Sequence, residues 1–389
     1  MTSVVLFQAE RDSLWPLSLT RPSHSLQYGF RPISSYVKHA LGAPEAVLLP
    51  GRLAAQCRER EPGLSVNPER LEGEALLING AIRPTPDVLE RAGALGPGQF
   101  LDSGGEVAAA RVASLPEGVP PTPEALKKLG CEGLRSEGSL LSGPWELVQG
   151  LGARLEGKGV VYGSSVQVED DVVFDTARGP VLVADGARIE AFSRIEGPSL
   201  IGRGSVIHSA RINGHTAVGE QCRVGGEVEW SIVSSFTNKA HFGYVGHSFV
   251  GEWVNMGAGC VTSDLKNTYG PIRVERGGTK VDTGMVKLGC FVGDYAKVSI
   301  NAMLYAGRSV GVASHVHGLV SEDVPPFVVY GRSTGMGVGE LSLEKALETA
   351  RRMKSRRDRA LTAAEEETLR LCFEQTAAER AAAVVVGKR

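Results

Sequence analysis

Long apolar runs, paired cysteines and an excess of charge of either sign are all missing from this chain of 389 residues. No stretch approaches the ~20 consecutive apolar residues that a membrane-spanning helix needs, so no membrane partner is expected. The first residues, MTSVVLFQAERDSLW, carry a four-residue apolar run followed by Glu10, Arg11 and Asp12. A secretory signal needs a basic start and a longer apolar core. The six cysteines, at 57, 131, 222, 260, 290 and 372, form no CxxC pair. That is the pattern of reduced thiols in a cytoplasmic protein. The formal net charge is only -2, whereas nucleic-acid binders are usually strongly basic, so no nucleic-acid partner is expected.

Glycine is abundant instead, at 49 residues, and it recurs along 143–340 rather than collecting in linkers. Before that region the pattern alternates. SVVLF at 3–7 reads as a buried strand, and EAVLLPGRLAAQCRER (45–60) and EALLINGAIRPTPDVLERA (74–92) each read strand, turn, helix. Such alternation predicts an α/β layer with a parallel sheet. GQFLDSGGEVAAARV (98–112) predicts a hairpin through Gly104-Gly105, and helical patterns follow at 122–130 and 143–155, the first opened by Thr122-Pro123. Ligands of such sheets sit at the carboxyl ends of strands. The loop after the first strand carries Arg11, Arg21 and Arg31 without a glycine-rich cradle. These arginines suit phosphate by charge-assisted bonds, or are solvated surface.

From about 165 the period becomes six: Val183-Ala184, Ile189-Glu190, Ile195-Glu196, Ile201-Gly202, then Ile212-Asn213, Val218-Gly219 and Val224-Gly225. It resumes at Val250-Gly251, Met256-Gly257, Val292-Gly293 and Val310-Gly311. Neither a strand (period two) nor a helix (3.6) fits. Short strands joined by corners do fit, with the aliphatic side chain pointing inward and a small residue letting the chain turn, as in a β-solenoid. This pattern, with the tail SEDVPPFVVYGRSTG (321–335), resembles the hexapeptide-repeat acyltransferase superfamily. The resemblance implies a left-handed parallel β-helix and a homotrimer with active sites between neighbouring subunits.

A narrower resemblance lies in HFGYVGHSFVGEWVNMGAG (241–259), preceded by VGGEVEWS and followed by CVTSDLKNTYG. Together with LSLTRP near the start, it is similar to the GlmU-like family, the bifunctional enzymes of UDP-N-acetylglucosamine synthesis, in a divergent branch. The implied fold is a shortened α/β nucleotidyltransferase-like domain (1–155), a left-handed β-helix acyltransferase domain (156–336) and a C-terminal helical segment (337–389). The implied activity is N-acetyl transfer from acetyl-CoA to an amino-sugar phosphate, glucosamine 1-phosphate above all. His241 is then the general base, with Tyr244 and Glu229 holding the sugar and its amine. Asn255, Asp264, Lys239 and Lys266 (or Arg273) are the substrate-side candidates, and the backbone of Ala258 and Gly259 faces the thioester oxygen. His247 falls where the family has an acidic residue, and reads as a corner or interface residue; Asp264 stands where the family has asparagine.

The N-terminal part departs further. FQAERDSLWPLSLTRP lacks the family's glycine-rich loop, and Asn79-Gly80-Ala81 replaces a metal-binding aspartate step. This half is expected to bind a nucleotide (UTP) or sugar phosphate weakly or not at all, with Mg²⁺ relevant only if it is active, or to use Glu10, Arg11, Asp12 and Arg21 in another arrangement. Two other readings stay open. One is a trimeric nucleotide-sugar-binding regulator or scaffold. The other is a zinc carbonic anhydrase on the same β-helix, which needs three converging histidines from among His208, His215, His241, His247, His315 and His317; no metal ligand is assigned. The carboxyl-terminal stretch is rich in helix formers and carries the basic run RRMKSRRDR (351–359).

Overall fold

The computed structural model describes residues 2–71, 73–116 and 120–387. The chain forms two compact units, one of Met1–Glu146 with Thr362–Leu369 and one of Leu147–Leu361 with Arg370–Arg389.

The first unit is built on a seven-stranded sheet. Its strands are β1 (Ser3–Phe7), β2 (Ala46–Leu48), β3 (Ser65–Val66), β4 (Ala75–Asn79), β5 (Gln99–Ser103), β6 (Glu106–Val112) and β7 (Glu132–Arg135), in the order β3-β2-β1-β4-β6-β5-β7. The β3-β2-β1-β4 half is parallel, as β-branched and leucine-rich runs alternating with helices require. Strands β5 and β6 form the hairpin, with Gly104 and Gly105 in the left-handed region at φ +68° and +89°. The helices Gly51–Arg60, Pro86–Gly93 and Pro123–Lys128 follow their strands, and the Thr122 hydroxyl caps the last by accepting from Ala125 N at 3.2 Å. The core gathers Val5, Phe7, Leu77, Phe100, Val107 and Leu126. The 143–155 pattern is shorter than expected, one helix at Trp145–Gln149 and a 3-10 turn at Gly150–Gly152.

The second unit is a stack of three-sided coils of short parallel strands. One side runs through Val183, Ile201, Val218, Val233, Val250, Val292 and Val310, which pair in that order. The second runs through Asn238, Asn255, Lys297 and His315, and the third through Glu227, Tyr244, Val261, Met303 and Leu319. Inward aliphatic side chains fill a narrow core, from Val181 through Val233 in one cluster and from Val245 through Val328 in the next. Each fully buried valine or isoleucine contributes roughly 1.5–3 kcal/mol.

Two expectations need correcting. The period is not a strict six, because the sequence spacing of paired residues changes and the register shifts between His208 and Arg211. The small residue of the hexad does not serve the turn either. A Cβ on Gly202 would lie 2.3 Å from Gly219 O, and on Gly225 2.1 Å from Ala240 O, so glycine there permits close approach of the next coil. Many of the turns themselves are made by larger residues at positive φ, among them His215, Trp230, Phe236, His247 and Trp253. Stacking across coils accommodates those side chains: Phe236 lies on Trp253 at 4.4 Å, and Trp230 lies between His215 and His247.

The carboxyl-terminal region forms three helices, Leu343–Ser355, Ala363–Gln375 and Ala377–Gly387. The last two residues of the expected helical segment lie outside the described residues. Within the second unit, Lys354 Nζ sits 5.0 Å from the Trp253 ring centre, Arg359 sits 4.8 Å from that of Phe236, and Arg357 donates to Asn238 Oδ1 at 2.8 Å. The basic run therefore covers a ridge of aromatic corners by cation–π contact. Among the described residues no helix is long and apolar enough to cross a membrane.

Candidate active site

The strand Tyr244–Gly246 forms the third side of one coil and sets Tyr244 facing outward, because inward positions are taken by Val228 and Val245. The Tyr244 hydroxyl donates to Asp264 Oδ2 at 2.9 Å, and Glu229 Oε2 lies 3.3 Å from the same hydroxyl. At the next corner His247, at φ +48°, brings Nδ1 within 2.7 Å of the same Asp264 oxygen. Lys287 stands 3.8 Å from the other oxygen of Glu229. The His247 ring lies parallel to Trp230 at 5.8 Å, and Trp230 lies on His215 at 3.9 Å.

Burial alone would raise the Asp264 carboxyl. Hydrogen bonds from His247 and Tyr244, then the charges of His247 and Lys287, outweigh it and hold the group below the usual carboxylate range. Burial, then the charges and acceptor atoms of Asp264 and Glu229, push the Tyr244 phenol above its usual range, so it remains a donor. An ionised Asp264 takes Nδ1–H and thereby fixes the His247 tautomer. Gly246 makes room for the arrangement, since a Cβ there would lie 2.2 Å from the Tyr244 hydroxyl and 2.7 Å from Asp264 Oδ2.

The sequence-derived residues distribute unevenly over this site. Tyr244, Glu229 and Asp264 come together. His241 lies at the opposite corner of the same side, exposed, and its imidazole has no partner among the described residues. Asn255 belongs to the second side, where it accepts from Asn238 at 3.4 Å, so it does not join Tyr244 within the chain. Lys239 is corrected as a substrate contact. It is buried, at 3 % exposure, and donates to Gly225 O at 2.7 Å and His241 O at 2.8 Å. Lys266 donates to Pro271 O and, with Arg273, lines a separate cavity of about 310 Å³. The Gly259 N–H is also corrected as an oxyanion donor, because it is already given to Phe242 O at 2.9 Å. No partner of the Ala258 N–H is found among the described residues.

His247 is the functional candidate that sequence reasoning set aside. A signal existed: a histidine in an acidic position and an aspartate in an asparagine position compensate one another when they are in contact. The sequence shows both exchanges, but only the coil stacking shows that they meet.

In the first unit, Arg21, proposed from the sequence as a phosphate ligand, is buried at 6 % exposure. Arg11 is exposed and lies 4.5 Å from the Trp15 ring centre. Glu10 pairs with Arg52 at 2.5 Å, and Asp12 accepts from Leu14 N and the Ser18 hydroxyl and bonds to Ser23, organising the loop from within. A cavity of about 470 Å³ opens at the carboxyl ends of β1 and β2, lined by Gln8, Glu10, Asn67 and Arg70 among others. The residues do not fit a catalytic Mg²⁺ at Asn79. Its amide is neutral, 4 % exposed and spent on Val107 O and Ala81 N, each at 2.9 Å.

Residues 4–158 match the family model described as sugar nucleotidyl transferase. A bifunctional sugar-1-phosphate nucleotidylyltransferase/acetyltransferase of Sulfurisphaera tokodaii is 28 % identical over 125 residues, 32 % of this chain and 29 % of that protein. The bifunctional protein GlmU of Synechococcus elongatus is 29 % identical over 147 residues, 37 % of this chain and 28 % of that protein. That of Sphingopyxis alaskensis is 38 % identical over 110 residues, 28 % of this chain and 24 % of that protein. The chain thus matches less than a third of the length of these curated relatives.

Proposed function

We propose that this divergent GlmU-like chain is an acetyl-CoA-dependent N-acetyltransferase whose acceptor is an amino-sugar phosphate, glucosamine 1-phosphate, in UDP-N-acetylglucosamine synthesis. The observation that carries this reading is the Tyr244 hydroxyl held between two carboxylates, with an exposed imidazole, His241, at the other end of the same coil side. The acceptor nitrogen attacks the thioester carbonyl, a C–N bond forms, the C–S bond breaks, and coenzyme A leaves as thiolate. The proton released from nitrogen goes to the His241 imidazole acting as base, and from there to the thiolate or to water. Tyr244, Glu229 and Asp264 hold the sugar and its amine, and the Ala258 N–H is the remaining backbone donor for the developing oxyanion. The reading includes a left-handed coil, a cytoplasmic homotrimer and sites completed by neighbouring copies.

The test is thiol release from acetyl-CoA by the purified protein against a panel of amino-sugar phosphates. Turnover with glucosamine 1-phosphate is expected; absence of thiol release with every member of the panel sinks the reading. A scaffold would give that silent result. A zinc anhydrase is disfavoured because, within the chain and among the described residues, none of the six β-helix histidines joins a converging group of three potential ligands; the group that does converge is His24, Cys57 and Glu61 in the first unit.

For the first unit we propose a sugar nucleotidyl transferase fold that has lost its metal carboxylate, so that it holds UTP or a sugar phosphate weakly and transfers no nucleotidyl group. Phosphoryl chemistry rests on positioning and charge neutralisation, and a buried neutral Asn79 supplies neither. Incubation with UTP, N-acetylglucosamine 1-phosphate and Mg²⁺ is expected to release no pyrophosphate. Robust pyrophosphate release overturns this.

A further inference from the structure

Directly after Asp264 the chain leaves the coil and returns at Leu288, whose N–H donates to Asp264 O at 2.8 Å. The excursion carries an antiparallel hairpin, Arg273–Arg276 against Thr279–Asp282, turned through Gly277 and Gly278 at φ +56° and +80°. Two glycines at positive φ form the tight turn that suits a two-residue hairpin. The hairpin lies against the coil at Gly307, where a Cβ would come within 2.8 Å of Ile272.

Between hairpin and coil sits the 310 Å³ cavity, and its walls hold Lys266, Arg273, Lys280 and Arg308 against one carboxylate, Asp282. Arg308 is the anchored member. Its side chain is 17 % exposed, it donates to Arg273 O at 3.2 Å, and it lies 3.7 Å from Asp323. Arg273 approaches Asp282 only at 3.9 Å and remains exposed. A concave surface with four cations, one of them pre-positioned, is a receptor for a phosphate group, because guanidinium and ammonium donors make charge-assisted bonds to its oxygens. The cavity belongs to the same edge of the stack as the Tyr244 cluster. Arg308 precedes Ser309–Val310, which pairs with Phe291–Val292, the strand reached just after the excursion closes on Asp264. Adjacent coils are about 4.8 Å apart, so one ligand can reach from the cluster to the cavity.

We propose that this cavity seats the phosphate of a substrate whose reacting end lies at Tyr244 and Asp264, an inference that rests on the acyl-transfer reading above. The shared chemistry is a phosphate monoester, carried either by the acceptor sugar or by coenzyme A at its 3′ position. Arg308→Gln and Lys280→Gln are the variants; Lys280 is exposed on the hairpin, so its replacement does not threaten the coil.

Kinetics are measured with glucosamine 1-phosphate against glucosamine, and with acetyl-CoA against acetyl-dephospho-CoA. Each variant is expected to raise KM for the phosphate-bearing partner roughly 10-fold, with the penalty confined to the source that uses the cavity. If that partner is the sugar, the two coenzyme forms give equal ratios; if it is the coenzyme, the two sugars do. A variant penalty that is the same with and without the phosphate on both substrates overturns the proposal. Calorimetric binding of glucosamine 1-phosphate and of adenosine 3′,5′-bisphosphate to wild type and variants separates the two readings. Arg308-dependent binding without any acetyl transfer keeps the phosphate seat and discards the transfer reading. Binding that is unchanged in both variants discards the seat.

Discussion

His241→Ala is expected to lower kcat for acetyl transfer by about 10²–10⁴-fold, the usual contribution of a positioned general base. The KM for acetyl-CoA should change little, because the imidazole acts on the attacking nitrogen. His241 is exposed at a corner whose backbone is held from inside by Lys239, so alanine removes the base without opening the core. The contrast is His247→Gln. That ring is buried, bonded to Asp264 and stacked on Trp230, so its loss should disturb acceptor binding, through Asp264 and Tyr244, more than the proton transfer. Thiol-release kinetics on both variants decide between the imidazoles. If His241→Ala keeps most of the wild-type kcat while His247→Gln loses it, the carboxylate-anchored ring is the base and the assignment made from the sequence motif is wrong.

Raising the pH is expected to relieve a penalty on two buried lysines of the coil stack, Lys297 and Lys239, and Lys239 is the one that substitution tests. Burial, opposed in part by Cys260, lowers its ammonium to about 8, against an unfolded value near ~10.4. Between those two values the unfolded chain binds the proton more readily than the native one. Stability therefore rises with pH across this window, is fully gained above the unfolded value, and is lost as pH falls through the native one. The shift corresponds to something on the order of 3 kcal/mol for a single group. Lys297, whose Nζ donates to Tyr295 O at 2.6 Å, is lowered by burial to about 7 and acts in the same direction. Burial pushes the Cys222 and Cys290 thiols up to about 12, which opposes the lysines above the unfolded thiol range, so the measured quantity is a difference. The change in urea midpoint from pH 7.5 to 9.5 should be clearly less positive in Lys239→Met than in wild type. A variant with the undiminished wild-type pH slope would falsify the attribution to Lys239.

Lys239 also shows where reading along the chain reaches its limit. It stands next to the His-x-x-Tyr motif, and proximity in sequence suggests proximity in function. In the structure its side chain turns inward and bridges two carbonyls of adjacent coils. Asp264 and Lys287 show the converse. They are distant in sequence from Glu229, yet pairing of Leu265 with Lys287 closes the excursion and returns both to the same site. Asp12 repeats the lesson in the first unit, since a charged residue in a loop looked available and the fold buried it to organise that loop.

The sequence by itself determined the architecture. Alternating strand and helix patterns determined the parallel half-sheet of the first unit, and the inward aliphatic every sixth position determined the coils. These are local periodicities, and each inward position gains its stability from apolar burial whatever its precise neighbours. It also marked Tyr244 and Glu229 as site candidates through a short motif. Which polar groups meet was decided only by the tertiary structure. Contacts between coils depend on how many residues each turn consumes, and the unequal turns and the 265–287 excursion change that count. A shift of one residue moves a side chain from the outer surface to the core. The pairing of His247 with Asp264, the burial of Lys239 and the cation-lined cavity at Arg308 all follow from that register, which no single stretch of sequence contains.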